Sequence, residues 1–361
     1  MTRRTERIRT VVDWSDVDDV PAYRLANSGS RFANAVNLDR GPIGGLAVTP
    51  DGRRLLATNY SDDTVSIIDT ASRRVVGTVA QAAEAYTIAA GPAGSGWAYV
   101  TAGSLDLDAV LVIDIDTAEI TGCYPVAMDI GDLVADPTSS RVYLTRTGPA
   151  GVDVLALDAA LRPAGSVGLS GHPAAAPVGL RISADGRRLY AGLRAPSGDT
   201  ITVLDQDLRV VDTIRVGASI TDFAVSPDGA RLYVATSGPD GRGSIHLVDA
   251  RTHAVCSSRA ADARLIQLVA SRDGQRVYLV TEDAVVVLCA RTNETLGRLT
   301  GIAEPSCVAE SPDGTRLWVA GFDGKVRAAS LADLPAPSAL LHEQLELDDA
   351  VTRMLQLEPA L

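Results

Sequence analysis

Short apolar runs with two-residue alternation recur along this chain, and each pair is separated by a turn signal. Seven segments share the pattern: TPDGRRLLAT, GPAGSGWAYVT, ADPTSSRVYLT, SADGRRLYAG, SPDGARLYVA, SRDGQRVYLV and SPDGTRLWVA. Their aromatic or large apolar column is Leu56, Tyr99, Tyr143, Tyr190, Tyr233, Tyr278 and Trp318, a repeat of about 44 residues. A further strand follows each copy, as TVSIIDT, AVLVIDIDT, VDVLALDA, ITVLDQD, SIHLVDA, AVVVLCA and the degenerate KVRAAS.

An Asp-Gly pair between alternating runs supplies the positive φ angles of a tight hairpin, so the strands around it pair antiparallel. Gly52, Gly186, Gly229, Gly274 and Gly314 occupy that place. One small sheet cannot bury both of its faces, but radial stacking covers each face with the next sheet and leaves only short edges. The repeat therefore predicts an all-β, seven-bladed β-propeller of four-stranded antiparallel blades over residues 31–338. The repeated aromatic is expected to fill the space between neighbouring blades, and Asp69, Asp114, Asp158, Asp205 and Asp249 to accept hydrogen bonds in turns.

The seventh unit lacks an outer strand, because KVRAAS is followed by the Pro-rich LADLPAPSA. Residues 31–38, RFANAVNL, precede the first innermost strand as the outer strands VVGTV or ETLGRL precede theirs. They are expected to complete the seventh blade and close the ring, leaving residues 1–30 as an N-terminal extension. In the tail, residues 339–361, Val351, Met354 and Leu355 fall at helical spacing behind Asp348, which predicts a short helix that must dock to persist.

The pairing of SPDGARLYVAT with SIHLVDART resembles the YVTN repeats of bacterial seven-bladed β-propellers, a subgroup of the lactonase-like and cytochrome d1-like propeller proteins. The resemblance spans roughly residues 40–332 and carries the fold, since its motifs are hairpin and packing residues. It brings no lactonase catalytic set, and with no CxxCH and four histidines it brings no haem attachment.

Charge narrows the partners. Lys and Arg number 33 against 45 Asp and Glu, a net charge of −12, so the averaged field repels nucleic acid and anionic membranes. The N-terminus shows no apolar leader core, and no stretch reaches the roughly 20 apolar residues of a membrane helix. Cys123, Cys256, Cys289 and Cys307 lack CxxC spacing. These features point to a cytoplasmic protein with reduced thiols, a monomer or homodimer, without cofactor or metal.

Candidate chemistry lies on the loop-rich face, where the innermost strands begin. Counting back from the aromatic column gives a ring of strand entrances: Gly45, Thr87, Asp132, Gly179, Asp222, Gln267 and Cys307, with Tyr86, Thr221 and Ser306 one step earlier. Asp132 and Asp222 face one mouth from blades 3 and 5. They could divide into a protonated acid and an ionised base, attract an amine or cation, or simply accept backbone hydrogen bonds. Glu84 and His172 are further acid-base candidates. Outer loops add Tyr60, Asp62, Asp63, Asp106, Asp108, Arg146, Arg194, Asp199, Asp240, Arg242, Glu282, Asp283 and Asp323, an acidic rim that could hold a cation only if its oxygens converge.

Two readings follow. One is a non-catalytic propeller whose channel face binds a small molecule, cationic or amine in one version, or a protein partner. The other is an enzyme using Asp132 and Asp222, with Glu84 or His172 as a further acid-base group, for lactone hydrolysis or an amine-carbonyl condensation.

Overall fold

Leu55 and Leu56 are neighbours on one strand and belong to different cores. Leu55 packs with Trp318, Ala320 and Val326, whereas Leu56 packs with Val100, Leu111 and Ile113. A strand sends successive side chains to opposite faces, so an apolar pair at one point of a strand joins the sheet before it to the sheet after it. The computed structural model describes residues 35–103, 107–126, 128–216, 219–238, 243–261, 263–332 and 334. The N-terminal extension and the helix expected in residues 339–361 lie outside them.

Seven four-stranded antiparallel sheets follow one another in chain order. Blade 1 is Ile43–Val48, Arg54–Asn59, Thr64–Asp69 and Arg74–Val79. The first strands of blades 2 to 6 are Ile88–Ala90, Asp129–Ala135, Ala176–Ile182, Ser219–Val225 and Leu265–Ala270. Blade 7 takes Pro305–Glu310, Arg316–Gly321 and Lys325–Ser330, and its fourth strand is Val36–Asn37 from the start of the propeller. Val36 pairs with Val326 and Asn37 with Lys325, and the Leu38 amide donates to the Gly324 carbonyl at 3.1 Å. The described closing strand is thus the C-terminal part of the segment expected to close the ring.

The core is a circle of inter-blade clusters. Tyr99 reaches from blade 2 into Val142, Leu144 and Leu157 of blade 3. Tyr143, Tyr190, Tyr233 and Tyr278 make the corresponding step between later blades, and Trp318 joins blade 7 to blade 1. Each such ring is worth roughly 2–3 kcal/mol of apolar burial. Two hydroxyls find carbonyls across the gap, Tyr99 on Ser140 at 3.1 Å and Tyr233 on Ala290 at 2.9 Å, and Tyr278 donates to the buried Glu310 carboxylate at 3.1 Å.

At the Asp-Gly turns, only the glycine takes positive φ, between 66° and 73° at the five positions, while the aspartate does not. The aspartate has another task. In blade 7, the Ser311 hydroxyl donates to Asp313 at 2.5 Å while its oxygen accepts the Arg316 amide at 3.0 Å, and the Asp313 carboxylate takes the Thr315 amide. Thr49 with Asp51, Ser183 with Asp185, Ser226 with Asp228 and Ser271 with Asp273 repeat the device. Both strands around each turn are thereby set in register.

Candidate functional site: the central channel

The first strand of a blade has one edge facing its second strand and one facing the axis, so its inward amides need partners other than a ladder. In six blades the register of the first strand also slips near its beginning, for instance between Ile130 and Asp132, Ile220 and Asp222, and Leu265 and Gln267. Such a bulge re-aims the residue that follows it. In blades 3 to 7 the residue after the slip is the ring residue read from the sequence, and in blades 3, 5 and 6 its side chain answers the amide problem. Asp132 Oδ2 accepts the Leu180 amide of the next blade at 2.9 Å, Asp222 Oδ2 accepts Leu268 N at 2.7 Å, and Gln267 Oε1 accepts Val308 N at 2.9 Å. Each side chain ties its blade to the following one.

Blade 4 breaks the pattern because its ring residue is Gly179. Arg181, two residues on, fills the space: a Cβ on Gly179 would lie 3.4 Å from the guanidinium. Arg181 Nη1 donates to Asp132 Oδ2 at 2.9 Å and Nη2 to Asp222 Oδ1 at 2.7 Å, while Nε reaches the Phe223 carbonyl at 3.1 Å and Nη1 also reaches the Leu180 carbonyl at 2.8 Å. Its charge lies 5.5 Å from the Phe223 ring centre. One guanidinium therefore joins three blades.

Burial pushes the Asp222 carboxyl above the ordinary carboxylate value, against the pull of Arg181 and the Leu268 and Phe223 amides. For Arg181, burial works against the charge, but Asp222 and Asp132 outweigh it and hold the guanidinium protonated. Cys307, 3% exposed, is pushed up to about 12 by burial and stays a thiol at neutral pH.

These residues line a central cavity of about 490 Å³. Gly45, Thr87, Asp132, Asp222, Gln267 and Cys307 of the ring reach it, as do Tyr86, Thr221 and Ser306, whereas Arg181 stands in for Gly179. The lining is asymmetric, with the charged network on blades 3 to 5 and Gly44, Gly45, Ser306 and Cys307 on blades 7 and 1. Tyr86 presents a ring that is 58% exposed. Burial raises its phenol, and the negative charges of Asp132 and Asp222 add to the effect.

The chain is 37% identical, over 351 aligned positions covering 87% of it and 88% of the relative, to the seven-bladed beta-propeller protein Rv1057 of Mycobacterium tuberculosis. The chain belongs to the seven-bladed β-propeller family. No family profile matches it. A chain of the Kuenenia stuttgartiensis hydrazine synthase superposes with a TM-score of 0.72 at 19% identity, covering 82% of this chain and 97% of that one, a likeness of fold.

The remaining candidates of this propeller stand away from the cavity wall. Glu84 has a positive φ of 46° in the loop before blade 2, and its amide donates to Asp63 at 2.9 Å. His172 is exposed, and its Nδ1 accepts the Ala174 amide at 3.1 Å. Tyr60 sits exposed in a single 3-10 turn. Arg146 forms a two-pronged pair with Asp153, with Nε to Oδ1 at 2.8 Å. Arg194 bonds the Ile220 carbonyl and borders a second groove of about 1150 Å³, which adjoins the channel at Thr221 and Ile266.

The acidic rim is largely consumed by structure. Asp108 accepts Ile130 N at 2.7 Å and Asp199 accepts Ile220 N at 2.7 Å, each bracing the beginning of the next blade. Asp62, Asp283 and Asp323 pair with Arg40, Arg298 and Arg327. Among the described residues, no three His, Cys, Asp or Glu side chains converge as a metal set, and no helix is long and apolar enough to cross a membrane. Asp106, Asp240 and Arg242 lie outside the described residues.

Arg181 is the cavity-lining residue that counting strand entrances misses. The signal was present: two residues after each ring position stand Ala47, Ala89, Val134, Arg181, Ala224, Val269 and Ala309. One arginine in a column of small apolar residues marks a charge that needs partners.

Proposed function

We propose that this protein is a cytoplasmic propeller of the YVTN, lactonase-like type that acts as a binding module rather than an enzyme, taking a small molecule in its central channel. The observation that supports this best is the Asp132–Arg181–Asp222 network. An acid-base pair needs a carboxyl free to exchange a proton with substrate. Here both carboxylates are bound to one guanidinium and to neighbouring amides, while a cavity of about 490 Å³ has the size typical of small-molecule sites, roughly 300–1,000 Å³. The paired arrangement favours a rigid, preorganised wall over proton transfer, so lactone hydrolysis and amine-carbonyl condensation are the weaker reading.

The test is a thermal-shift screen of cationic, neutral and anionic metabolites on the wild type and on Thr87→Trp, which fills the channel. A ligand raises the apparent stability of the state it binds. Hits that stabilise the wild type and lose their effect on the filled variant are expected. A screen without hits, or one whose hits act equally on both proteins, overturns the reading.

A further inference from the structure

We infer that the channel selects a small organic cation, an ammonium or guanidinium group carried on an apolar or aromatic body. This rests on the binding reading above and assigns its ligand class. Among the described residues lining the cavity, the charged ones are Asp132, Arg181 and Asp222: two negative charges and one positive leave a net of −1. The single cation is poorly placed to receive an anionic ligand, because Arg181 already spends Nε on Phe223 O, Nη1 on Asp132 and Leu180 O, and one donor of Nη2 on Asp222. An anion would meet a guanidinium with four of its five N–H donors spent and an excess carboxylate in a partly desolvated space, where a unit charge counts for more than in water.

The excess charge is reachable on one side. The Asp132 side chain is 17% exposed against 8% for Asp222, and Asp132 Oδ1 accepts the Leu133 amide, which leaves it a second lone pair. Tyr86 offers its ring to the same cavity. Its phenol feels both carboxylates, so a cation resting against the ring would lie in their field. A carboxylate and an aromatic side chain lining one cavity suit an organic cation twice over, by charge and by the ring quadrupole. Asp222 is too enclosed to take part directly and acts by holding Arg181 against Asp132.

Three probes of one shape separate charge from shape: benzylammonium, benzyl alcohol and benzoate, titrated calorimetrically into the wild type, Asp132→Asn, Tyr86→Leu and Glu282→Gln. Benzylammonium is expected to bind the wild type at least about tenfold more tightly than the other two and to weaken at higher salt. Asp132→Asn makes the wall neutral and should cost benzylammonium about tenfold or more. Tyr86→Leu, a change at an exposed side chain that leaves the fold intact, should cost several-fold, and Glu282→Gln in the adjoining groove should cost nothing. Benzyl alcohol or benzoate binding as tightly as benzylammonium, with loss on Thr87→Trp, overturns the inference while the binding reading stands. Unchanged benzylammonium affinity in both Asp132→Asn and Tyr86→Leu overturns it as well. Failure of all three probes overturns the cation assignment, and the metabolite screen then decides the binding reading separately.

Discussion

Arg181 Nη2 meets Asp222 Oδ1 at 2.7 Å across the gap between blades 4 and 5, while the other oxygen of Asp222 accepts the Leu268 amide of blade 6 at 2.7 Å. A pairing of side chains thus does, near the axis, what apolar clusters do farther out: it fixes the angle between neighbouring blades. Because the charges are largely withdrawn from water, removing one partner leaves the other uncompensated.

Arg181→Met is therefore expected to destabilise the protein by about 3 kcal/mol in urea unfolding at neutral pH. Without the guanidinium, the Asp222 carboxyl rises further, so the deficit shrinks as the solution is acidified and Asp222 takes up a proton. A deficit that stays constant from neutral to mildly acid pH would show that the ion pair is not its source.

The turn aspartates set the acid limit. The carboxyl of Asp313 is held below its ordinary 3.8 by the Ser311 hydroxyl, the Thr315 amide and the Thr315 hydroxyl, and Asp51, Asp185 and Asp228 are depressed in the same way by Thr49, Ser183 and Ser226. A depressed carboxyl contributes stability that is present above its unfolded value and lost as pH falls through the folded one. Acid unfolding should accordingly begin below about pH 4. Ser311→Ala should cost about 1 kcal/mol at neutral pH, with a smaller cost near pH 2, as followed by circular dichroism. An equal cost at both would detach the serine from the carboxylate.

Asp222 works in the opposite direction. Its folded value is raised by burial, so its contribution is fully present below the unfolded value and is lost as pH rises through the folded one. Stability measured by urea unfolding should fall less steeply with rising pH above 3.8 in Asp222→Asn than in the wild type. Parallel profiles would mean that Asp222 titrates as an ordinary carboxyl.

Val36 and Leu38, 8% and 6% exposed, pack with Trp318 where the ring closes. Val36→Asp should cost about 2–3 kcal/mol and release the last described pairing on the edge of blade 7. Light scattering should then detect association that grows with protein concentration. A variant as stable and as monodisperse as the wild type would show that closure does not depend on this strand.

Trp318 is 1% exposed, and its indole nitrogen has no hydrogen-bond partner among the described residues. Its value is apolar volume, so Trp318→Ala should cost about 3–5 kcal/mol and Trp318→Phe less than half of that. Equal losses in thermal unfolding would mean that the indole N–H matters after all.

The sequence by itself determined the number of blades, their strand order, the aromatic column between them and the way the ring closes. Each of these follows from a period of two within strands and a period of about 44 along the chain, which local chemistry at Ser311, Asp313 and Gly314 or at Tyr278 imposes copy by copy. It also named which residues stand at the channel mouth, because Asp132, Asp222 and Gln267 occupy equivalent places in the repeat. What those side chains do there was decided by the tertiary structure. Asp132 and Arg181 are 49 positions apart and Asp222 and Arg181 are 41, so the network that occupies both carboxylates exists only once three blades stand side by side. A repeat specifies position within a copy, whereas a charge is neutralised by whatever the ring brings to it from another.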